Sequence, residues 1–406
     1  MKKVCINELE LRGKRVLIRV DFNVPLNPQG EVADDTRIKA ALPTIRYALE
    51  RGAKVLLISH LGRPKGRDPK LSLKPVALRL GQLLQRPVRM AEDCIGETVQ
   101  AQVASMAEGD ILMLENVRFH PEEERNDEAF AKALAFLCDV YVNDAFGTVH
   151  RAHASVDALP RLMPDKAAGF LLQKELTALG KLVEGPERPY LAVLGGAKVS
   201  DKIGVIEALL NKVDALLIGG GMANTFLKAQ GFGVGRSLVE DSMLDVVKNL
   251  MDISRKNGIK LYLPVDFVVA ENFDERAETK VVPFQEIPEK WIALDIGPAS
   301  TKLFTEVLQD AKTIVWNGPM GAFEFDAFSR GTYAMVDAVT SSHASTIVGG
   351  GDTDMAFHKS GKTHEVTFIS TGGGAFLKLL EGGELPGVAS LSDRRRKARN
   401  TSPSPA

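Results

Sequence analysis

Short apolar segments alternate with segments of helical periodicity along almost the whole chain. In the first half, continuous apolar runs at 16–20, 55–59, 111–114 and 140–142 predict buried strands. Apolar residues at helical spacing predict helices between them, at 37–51, 75–84 and 128–137. Continuous apolar strands separated by helices are typical of a parallel sheet that is covered on both faces.

The same alternation resumes in the second half, with strands predicted at 191–194, 215–218, 260–263, 313–316, 346–348 and 366–369. The two halves are joined by a helical segment that begins at Phe170 and ends near Glu184, before Gly185 and Pro186. A chain of 406 residues is also too long for one hydrophobic core. We therefore predict an α/β fold of two doubly wound parallel-sheet domains joined by a helix.

Composition and charge narrow the function classes. Apolar residues make up 45% and charged residues 25%, and the formal net charge is -1, so no overall charge attracts nucleic acid or a membrane surface. Three cysteines without metal-ligand spacing indicate reduced thiols. With no apolar run near the roughly 20 residues of a membrane span and an early polar N-terminus, we expect a cytoplasmic protein.

Basic and polar residues follow the predicted strands of the first half. Each of four strand ends leads to an arginine, namely Arg37, Arg63, Arg118 and Arg151. Ligands of parallel sheets bind at the carboxyl ends of the strands, and arginine binds phosphate and carboxylate oxygens bidentately. Each arginine alone is explained by a surface ion pair, but four at successive strand ends favour a site for a small, multiply charged anion.

Histidines also occur at these strand ends, at His60, His150 and His153. They lack carboxylates or cysteines at ligand spacing, and Arg151 stands between two of them. We therefore expect hydrogen bonding from these histidines rather than metal binding.

Glycine-bearing turns follow five predicted strands of the second half, at 195–196, 219–221, 317–321, 349–353 and 371–374. Such turns favour a crevice in which bare backbone approaches a base and phosphates. Neither of two common nucleotide signatures is present: the P-loop pattern fails at Ala356, and no glycine turn has dinucleotide-fingerprint spacing.

Two of these turns carry charged side chains. After Gly195 and Gly196, the sequence predicts a helix start that places Lys198 and Lys202 on one face, suited to a polyphosphate or simply exposed to solvent. Asp352 follows Gly350 and Gly351 at another helix start, where it serves either as a Mg²⁺ ligand on bound phosphates or as a helix-capping residue.

Taken together, these motifs resemble the phosphoglycerate kinase family, from the first strand to about Leu391. The resemblance is carried by segments 19–25, 59–64, 114–119, 195–202, 219–223, 316–321, 350–353 and 370–374, all in the family's order.

The resemblance implies a role for each site residue. The phosphoglycerate would be held by Asp21, Asn23, Arg37, His60, Arg63, Arg118 and Arg151. Nucleotide phosphates would be held by Lys202, Gly350, Gly351 and Thr353, with Asp352 on Mg²⁺; Asn317 and Glu324 would contact the ribose, and Gly219, Gly220, Gly221 and Leu294 the adenine. The phosphoryl group in transfer would be stabilised by Arg37, Lys198, Gly372 and Gly373.

The family also implies reversible phosphoryl transfer from 1,3-bisphosphoglycerate to MgADP, giving ATP and 3-phosphoglycerate. Its members are monomers whose two domains face each other across a cleft and close before in-line transfer. Here the implied domains are 1–170 for phosphoglycerate, a linking helix at 171–188, and 189–374 for nucleotide, with 375–391 returning to the first domain.

Two features depart from the family. Phe376 stands where many members carry a small polar residue, and the segment 392–406 extends past the usual end with a composition that predicts a disordered basic tail. Two rival functions also fit parts of the sequence: a nicotinamide-dependent dehydrogenase, which the missing fingerprint argues against, and a polyanion-binding module, which leaves the glycine turns unexplained.

Overall fold

The computed structural model describes residues 2–394, which form two compact units. The first unit contains the described part of Met1–Thr177 and of Leu385–Ala406, and the second contains Ala178–Glu384. Residues 375–384, which we assigned to the returning segment, therefore belong to the second unit. The roles of the predicted domains stay predictions.

The first unit is built on a parallel six-stranded sheet with the order β3-β4-β2-β1-β5-β6. Its strands are β1 (Arg15–Val20), β2 (Lys54–Ile58), β3 (Arg89–Met90), β4 (Ile111–Met113), β5 (Val140–Asp144) and β6 (Lys166–Ala168). Its helices are α1 (Thr36–Glu50), α2 (Lys74–Leu84), α3 (Glu97–Ala104), α4 (Pro121–Glu124), α5 (Glu128–Ala135) and α6 (Leu159–Leu162). The helix α7 (Phe170–Glu184) then leads into the second unit.

The second unit has its own parallel six-stranded sheet, with the order β15-β14-β13-β7-β8-β9, and a three-stranded antiparallel sheet with the order β11-β10-β12. Its strands are β7 (Tyr190–Leu194), β8 (Ala215–Ile218), β9 (Lys260–Tyr262), β10 (Asp266–Ala270), β11 (Thr279–Pro283), β12 (Ile292–Ile296), β13 (Thr313–Asn317), β14 (Ser345–Gly349) and β15 (Phe368–Ser370). Its helices are α8 (Ile203–Leu209), α9 (Met222–Ala229), α10 (Leu244–Lys256), α11 (Pro298–Gln309), α12 (Arg330–Thr340), α13 (Gly351–Ser360) and α14 (Gly373–Leu380). The last helix, α15 (Pro386–Ala389), belongs to the first unit.

The burial of the strands explains their composition. All of β7 and β13, and nearly all of β1, is buried, because helices cover both faces of each parallel sheet. The apolar runs that predicted these strands are therefore core residues, and the predicted fold class is confirmed. The strands β3, β6 and β10–β12 were not predicted; β3 has two residues, and β11 is largely exposed at a sheet edge.

The predicted tail at 392–406 lies mostly outside the described residues. Its first residues are ordered, which corrects the predicted boundary: the amide of Val4 donates to the carbonyl oxygen of Ser392 over 2.9 Å, and Lys3 pairs with Asp393 at 2.7 Å. Among residues 2–394, every helix is too short or too polar to cross a lipid bilayer.

The start of α7 depends on a buried carboxyl group at the end of β5. Asp144 Oδ1 accepts a hydrogen bond from the amide of Leu172 at 3.1 Å, within the first turn of the helix. Burial raises the pKa of Asp144 to about 7, although hydrogen bonds from Thr44, Leu172 and Leu171 oppose the shift.

This raised pKa predicts a pH-dependent stability. The unfolded carboxyl group has a pKa of about 3.9, so between that pH and 7 the folded state binds the extra proton and stability falls as pH rises. Asp144→Asn should therefore remove a slope of at most about 1.4 kcal/mol per pH unit, measured by urea unfolding from pH 5 to 7. Asp139→Asn is the control, because pairing with Arg15 lowers the pKa of Asp139 and confines its effect to more acidic solution. Equal slopes for wild type and Asp144→Asn would contradict the assignment.

Candidate active site

The predicted anion-binding residues of the first unit follow β1, β2, β4 and β5. Asp21 follows β1 and pairs with Arg37, at the start of α1, over 2.8 Å. Asn23 accepts a hydrogen bond from the amide of Gly62, in the loop after β2, at 2.8 Å. The side chains after β1 therefore hold both Arg37 and the loop that carries His60 and Arg63.

The pKa of His60 shows that several arginines lie near it. Burial lowers the pKa of His60 well below its usual range, and Arg19, Arg118, Arg151 and Arg37 lower it further through their charges. The guanidinium of Arg19 lies 3.3 Å from His60 Nδ1, and because a guanidinium only donates, Nδ1 is the acceptor and the ring proton sits on Nε2. His60 is thus a neutral donor within a cationic cluster.

Arg118 and Arg151 belong to the same cluster. Arg118 is nearly buried; it donates to the carbonyl oxygen of Gly62 at 2.8 Å and pairs with Glu124 at 3.3 Å. Arg151 Nε donates to His150 Nε2 at 3.2 Å. Both arginines help to lower the pKa of His153 to about 4, after burial as the main cause. By contrast, Arg63 is exposed, and only its position after Gly62 relates it to the cluster.

The second sheet has the strand order of a dinucleotide-binding domain, in which the topological switch point lies between its first and fourth strands, here β7 and β13. The turns after these strands meet there: the amide of Gly195 donates to the carbonyl oxygen of Asn317 at 3.0 Å. Ligands of such sheets bind at this position. The turns after β7 and β13 therefore meet at the switch point.

Some of these glycines are also required by the protein's own packing. Gly220 has φ +65°, and a Cβ there would lie 2.6 Å from the backbone nitrogen of Gly196. Gly318 has φ +94°, and a Cβ would lie 2.5 Å from Lys202 Nζ. A Cβ on Gly351, however, would meet nothing within 4 Å. Packing within the protein therefore requires glycine at Gly220 and Gly318, whereas a side chain at Gly351 would enter open space.

The predicted arrangement of the two lysines is wrong. The helix α8 begins at Ile203, so Lys198 precedes the helix and Lys202 is its N-cap residue. Lys198 is exposed, whereas Lys202 is buried and its ammonium donates to the carbonyl oxygens of Gly195, at 2.5 Å, and Asn317, at 2.9 Å. Burial lowers the pKa of Lys202 to about 8, against the opposing charges of Asp352 and Asp201.

Two helix N-termini lie side by side near the switch point. Gly350 caps α13 and Gly372 caps α14, and a Cβ on Gly373 would lie 3.1 Å from the Cα of Gly350. The hydroxyl of Thr353 accepts from the amide of Gly318 at 2.7 Å, which ties α13 to the turn after β13. Free amides at two adjacent helix N-termini form an anion-binding site.

A cavity of about 550 Å³ lies in the same unit. Five predicted nucleotide-binding residues line it: Gly220, Gly221, Leu294, Glu324 and Asp352. The remaining lining is mostly apolar and comprises Gly196, Ala197, Arg236, Leu238, Phe273, Ile292, Ala293, Pro319, Gly321 and Ala322. Its size and apolar walls suit a flat base.

Asn317, a predicted ribose contact, is buried, and its amide nitrogen donates to the carbonyl oxygen of Gly349 at 2.6 Å.

Other residues that line this cavity were not predicted from the sequence. Phe273 is exposed at the cavity after β10 and packs edge to face against Phe325, with ring centroids 4.9 Å apart. Because β10 and β12 were not predicted, the sequence pattern gave no signal for the contribution of this sheet.

Arg19, Glu123 and Ser155 were also missed in the first unit. Arg19 lies within β1 and is almost fully buried, although charged residues are rare inside apolar strands. A charged residue inside a predicted apolar strand was therefore the sequence signal that could have identified Arg19. Glu123 lies within an acidic run that resembles a solvated surface, so nothing in its local pattern marks it as buried.

The chain is similar to known proteins over most of its length. The family model described as phosphoglycerate kinase matches residues 6–383. A phosphoglycerate kinase of Citrifermentans bemidjiense is 59% identical over 391 residues, 96% of this chain and 98% of the relative. The phosphoglycerate kinase of Aquifex aeolicus is 55% identical over 97% of this chain and 99% of the relative.

Solved structures give the same result. The phosphoglycerate kinase from Coxiella burnetii superposes with a TM-score of 0.87 at 42% identity, over 96% of this chain and 98% of that chain. The enzyme from Pyrococcus horikoshii has a TM-score of 0.83 at 35% identity, over the same shares. Since sequence and fold agree over both units and nearly the whole length of these relatives, the chain belongs to the phosphoglycerate kinase family, which transfers a phosphoryl group between 1,3-bisphosphoglycerate and ADP in glycolysis.

Proposed function

We propose that the first unit binds the phosphoglycerate, that the second unit binds MgADP or MgATP, and that the phosphoryl group passes directly between them. One observation carries this proposal: the described residues contain a cationic cluster around neutral His60 in one unit and paired helix N-termini beside an apolar cavity in the other. The first arrangement suits a small polyanion, and the second suits a nucleotide.

In the first unit, Arg37, Arg63, Arg118 and Arg151 bind phosphate and carboxylate oxygens of the phosphoglycerate. Asp21 orients Arg37 through their ion pair. Asn23 holds the loop at Gly62 in place. His60 donates from Nε2 to a substrate oxygen, and because its ring stays neutral it binds without adding a titrating charge.

In the second unit, the base enters the cavity beside Gly219, Gly220, Gly221 and Leu294, and Glu324 accepts from a ribose hydroxyl. The side-chain nitrogen of Asn317 donates to the carbonyl oxygen of Gly349. Its amide oxygen is therefore oriented to accept a hydrogen bond from the second ribose hydroxyl. The phosphates bind the amides of Gly350 and Gly351. Thr353 accepts from Gly318 and keeps its own hydroxyl proton for a phosphate oxygen.

A magnesium ion accompanies the nucleotide in this proposal. Asp352 is an exposed carboxylate in the first turn of α13 and lines the cavity, which supplies the hard oxygen ligand that Mg²⁺ prefers. Mg²⁺ at phosphates usually takes one or two protein carboxylates, so this residue set fits. Held by Asp352, the ion would neutralise charge on the nucleotide phosphates.

The transfer itself needs alignment and charge neutralisation rather than a catalytic base. The acceptor in the ATP-consuming direction is a carboxylate, which is already deprotonated at pH 7. Arg37, Lys198 and the backbone amides of Gly372 and Gly373 stabilise the three phosphoryl oxygens in the transition state.

Binding of the two substrates to separate units requires a closing motion, with hinges in α7 and at 370–374. Small-angle X-ray scattering should show a smaller radius of gyration with both substrates bound than with either alone. An unchanged radius would remove closure from the proposal and leave the binding assignments standing.

The direct test is ATP formation from 1,3-bisphosphoglycerate and MgADP, followed by a coupled assay. We expect turnover that depends on both substrates and on Mg²⁺. If no ATP forms while the folded protein binds both ligands, the proposed reaction is wrong.

Arg37→Ala and Lys198→Ala should each lower kcat by about 10²–10³-fold with a smaller effect on substrate affinity, because each removes a transition-state donor. Steady-state kinetics with both substrates varied measures the two effects separately. The matched controls are Arg46→Ala, exposed on the same helix as Arg37, and Lys256→Ala, exposed on α10. A raised KM at unchanged kcat would contradict the assigned role.

Nucleotide affinity should fall between pH 7 and 9, because Lys202, whose pKa is about 8, loses its charge over this range in the free protein. Lys202→Ala should bind MgADP about tenfold or more weakly at pH 7 and lose this pH dependence, as measured by calorimetry. Lys212→Ala, which removes an ammonium bonded to Leu380 in the same unit, should keep the wild-type profile. A variant that retains the decline would show that another group causes it.

A further inference from the structure

A fully buried carboxylate lies beside the cationic cluster of the first unit. Glu123 is in the short helix α4, and its side chain has no exposed surface. A carboxylate removed from water is unfavourable unless hydrogen bonds and an opposite charge compensate it. The hydrogen-bond donors and the cation around Glu123 therefore explain how its carboxylate is stabilised there.

Both carboxylate oxygens bind the same residue, Ser155. The hydroxyl of Ser155 donates to Oε1 at 2.6 Å, and its backbone amide donates to Oε2 at 2.8 Å. The hydroxyl oxygen also accepts from Arg19 Nε at 2.9 Å. Because a hydroxyl has one proton, donation to Glu123 leaves its lone pairs for Arg19, and the three side chains form a directed chain of hydrogen bonds.

The far end of this chain contacts the site. Arg19 is 1% exposed, and its remaining nitrogens reach the carbonyl oxygen of Val20 and Nδ1 of His60. A buried guanidinium keeps its charge, so it needs a compensating anion. Glu123 supplies that charge, since Arg19 is the main group whose charge opposes the burial-driven rise in the pKa of Glu123.

The same carboxylate also connects two segments that carry arginines. Ser155 lies in the turn of π-helix at Ala154–Ala158, directly after the segment that holds Arg151. Glu123 lies five positions after Arg118, and its neighbour Glu124 pairs with Arg118. The two hydrogen bonds from Ser155 to Glu123 therefore join the segment of Arg118 to the segment of Arg151, next to buried Arg19.

We propose that Glu123 is a positioning residue for the phosphoglycerate site: through Ser155, it holds Arg19 and the Arg151 segment in the geometry that receives the anion. This inference rests on the proposed function of the first unit. Glu123 does not touch the substrate, and its own charge disfavours a bound anion. Its positioning of the arginines thus increases the affinity for the anion, whereas the electric field of its negative charge decreases that affinity.

Because the two effects are opposite, Glu123→Gln distinguishes between them. The substitution keeps the size of the side chain and removes its charge, so a field effect alone would tighten 3-phosphoglycerate binding, whereas loss of positioning weakens it. We expect about tenfold weaker binding of 3-phosphoglycerate, with MgADP affinity changed less than twofold, both measured by calorimetry. Glu122→Gln, in the same helix and paired with Arg125, is the control and should bind both ligands as wild type does. Equal or tighter binding of 3-phosphoglycerate by Glu123→Gln overturns the inference.

Ser155→Ala tests the hydrogen-bonded chain without changing charge, and it decides the matter if Glu123→Gln does not fold. We expect weaker 3-phosphoglycerate binding in this variant, and a double variant no weaker than Glu123→Gln alone, because both changes break the same chain. Wild-type affinity of Ser155→Ala, or fully additive losses, would overturn the inference.

Arg151→Ala separates this inference from the proposed function. If Arg151→Ala binds 3-phosphoglycerate as tightly as wild type, the proposed site and the inference both fall. If Arg151→Ala loses affinity while Glu123→Gln does not, only the positioning role falls.

Discussion

Positive charge held away from water is the constraint around which both units are arranged. Arg19, Arg118 and Lys202 are each nearly or fully buried, and each donates to a carbonyl oxygen at or just after the carboxyl end of a parallel strand. A buried cation is unfavourable without such oxygens. The hydrogen bonds that it donates also hold these backbone segments in place. These cations are consequently held in place by the protein itself, and such preorganised charges are the condition for electrostatic stabilisation of a transferred group.

Much of the fold was readable from the sequence because burial dictates composition. The strands covered on both faces are continuous apolar runs, and their predicted bounds differ from the observed ones by at most two residues. The strand-end rule then located the basic and glycine-rich turns, since the carboxyl ends of parallel strands share one edge. The resemblance to the phosphoglycerate kinase family rested on these same turns and is confirmed.

What the sequence could not supply were contacts between residues far apart in the chain. Lys202 looks like a surface lysine locally, yet it is buried because Asn317, 115 positions later, provides an acceptor. Arg19 and Ser155 are 136 positions apart, and no local pattern pairs them. The antiparallel strands beside the 550 Å³ cavity share no single burial pattern: β10 is mostly buried, β11 is mostly exposed, and only β12 alternates. Residues such as Phe273 therefore had no predicted place.

The connectivity of the first unit has a consequence for biosynthesis. Its last segment, which includes α15 and the contacts of Ser392 with Val4 and of Asp393 with Lys3, follows the whole of Ala178–Glu384 in the chain. At about 5–20 residues per second, a ribosome needs roughly 10–40 s to translate that intervening stretch of about 200 residues. Throughout this interval the nascent first unit lacks the segment that covers Val149 and Val156, so its apolar surface there is open to chaperones until translation reaches residue 385.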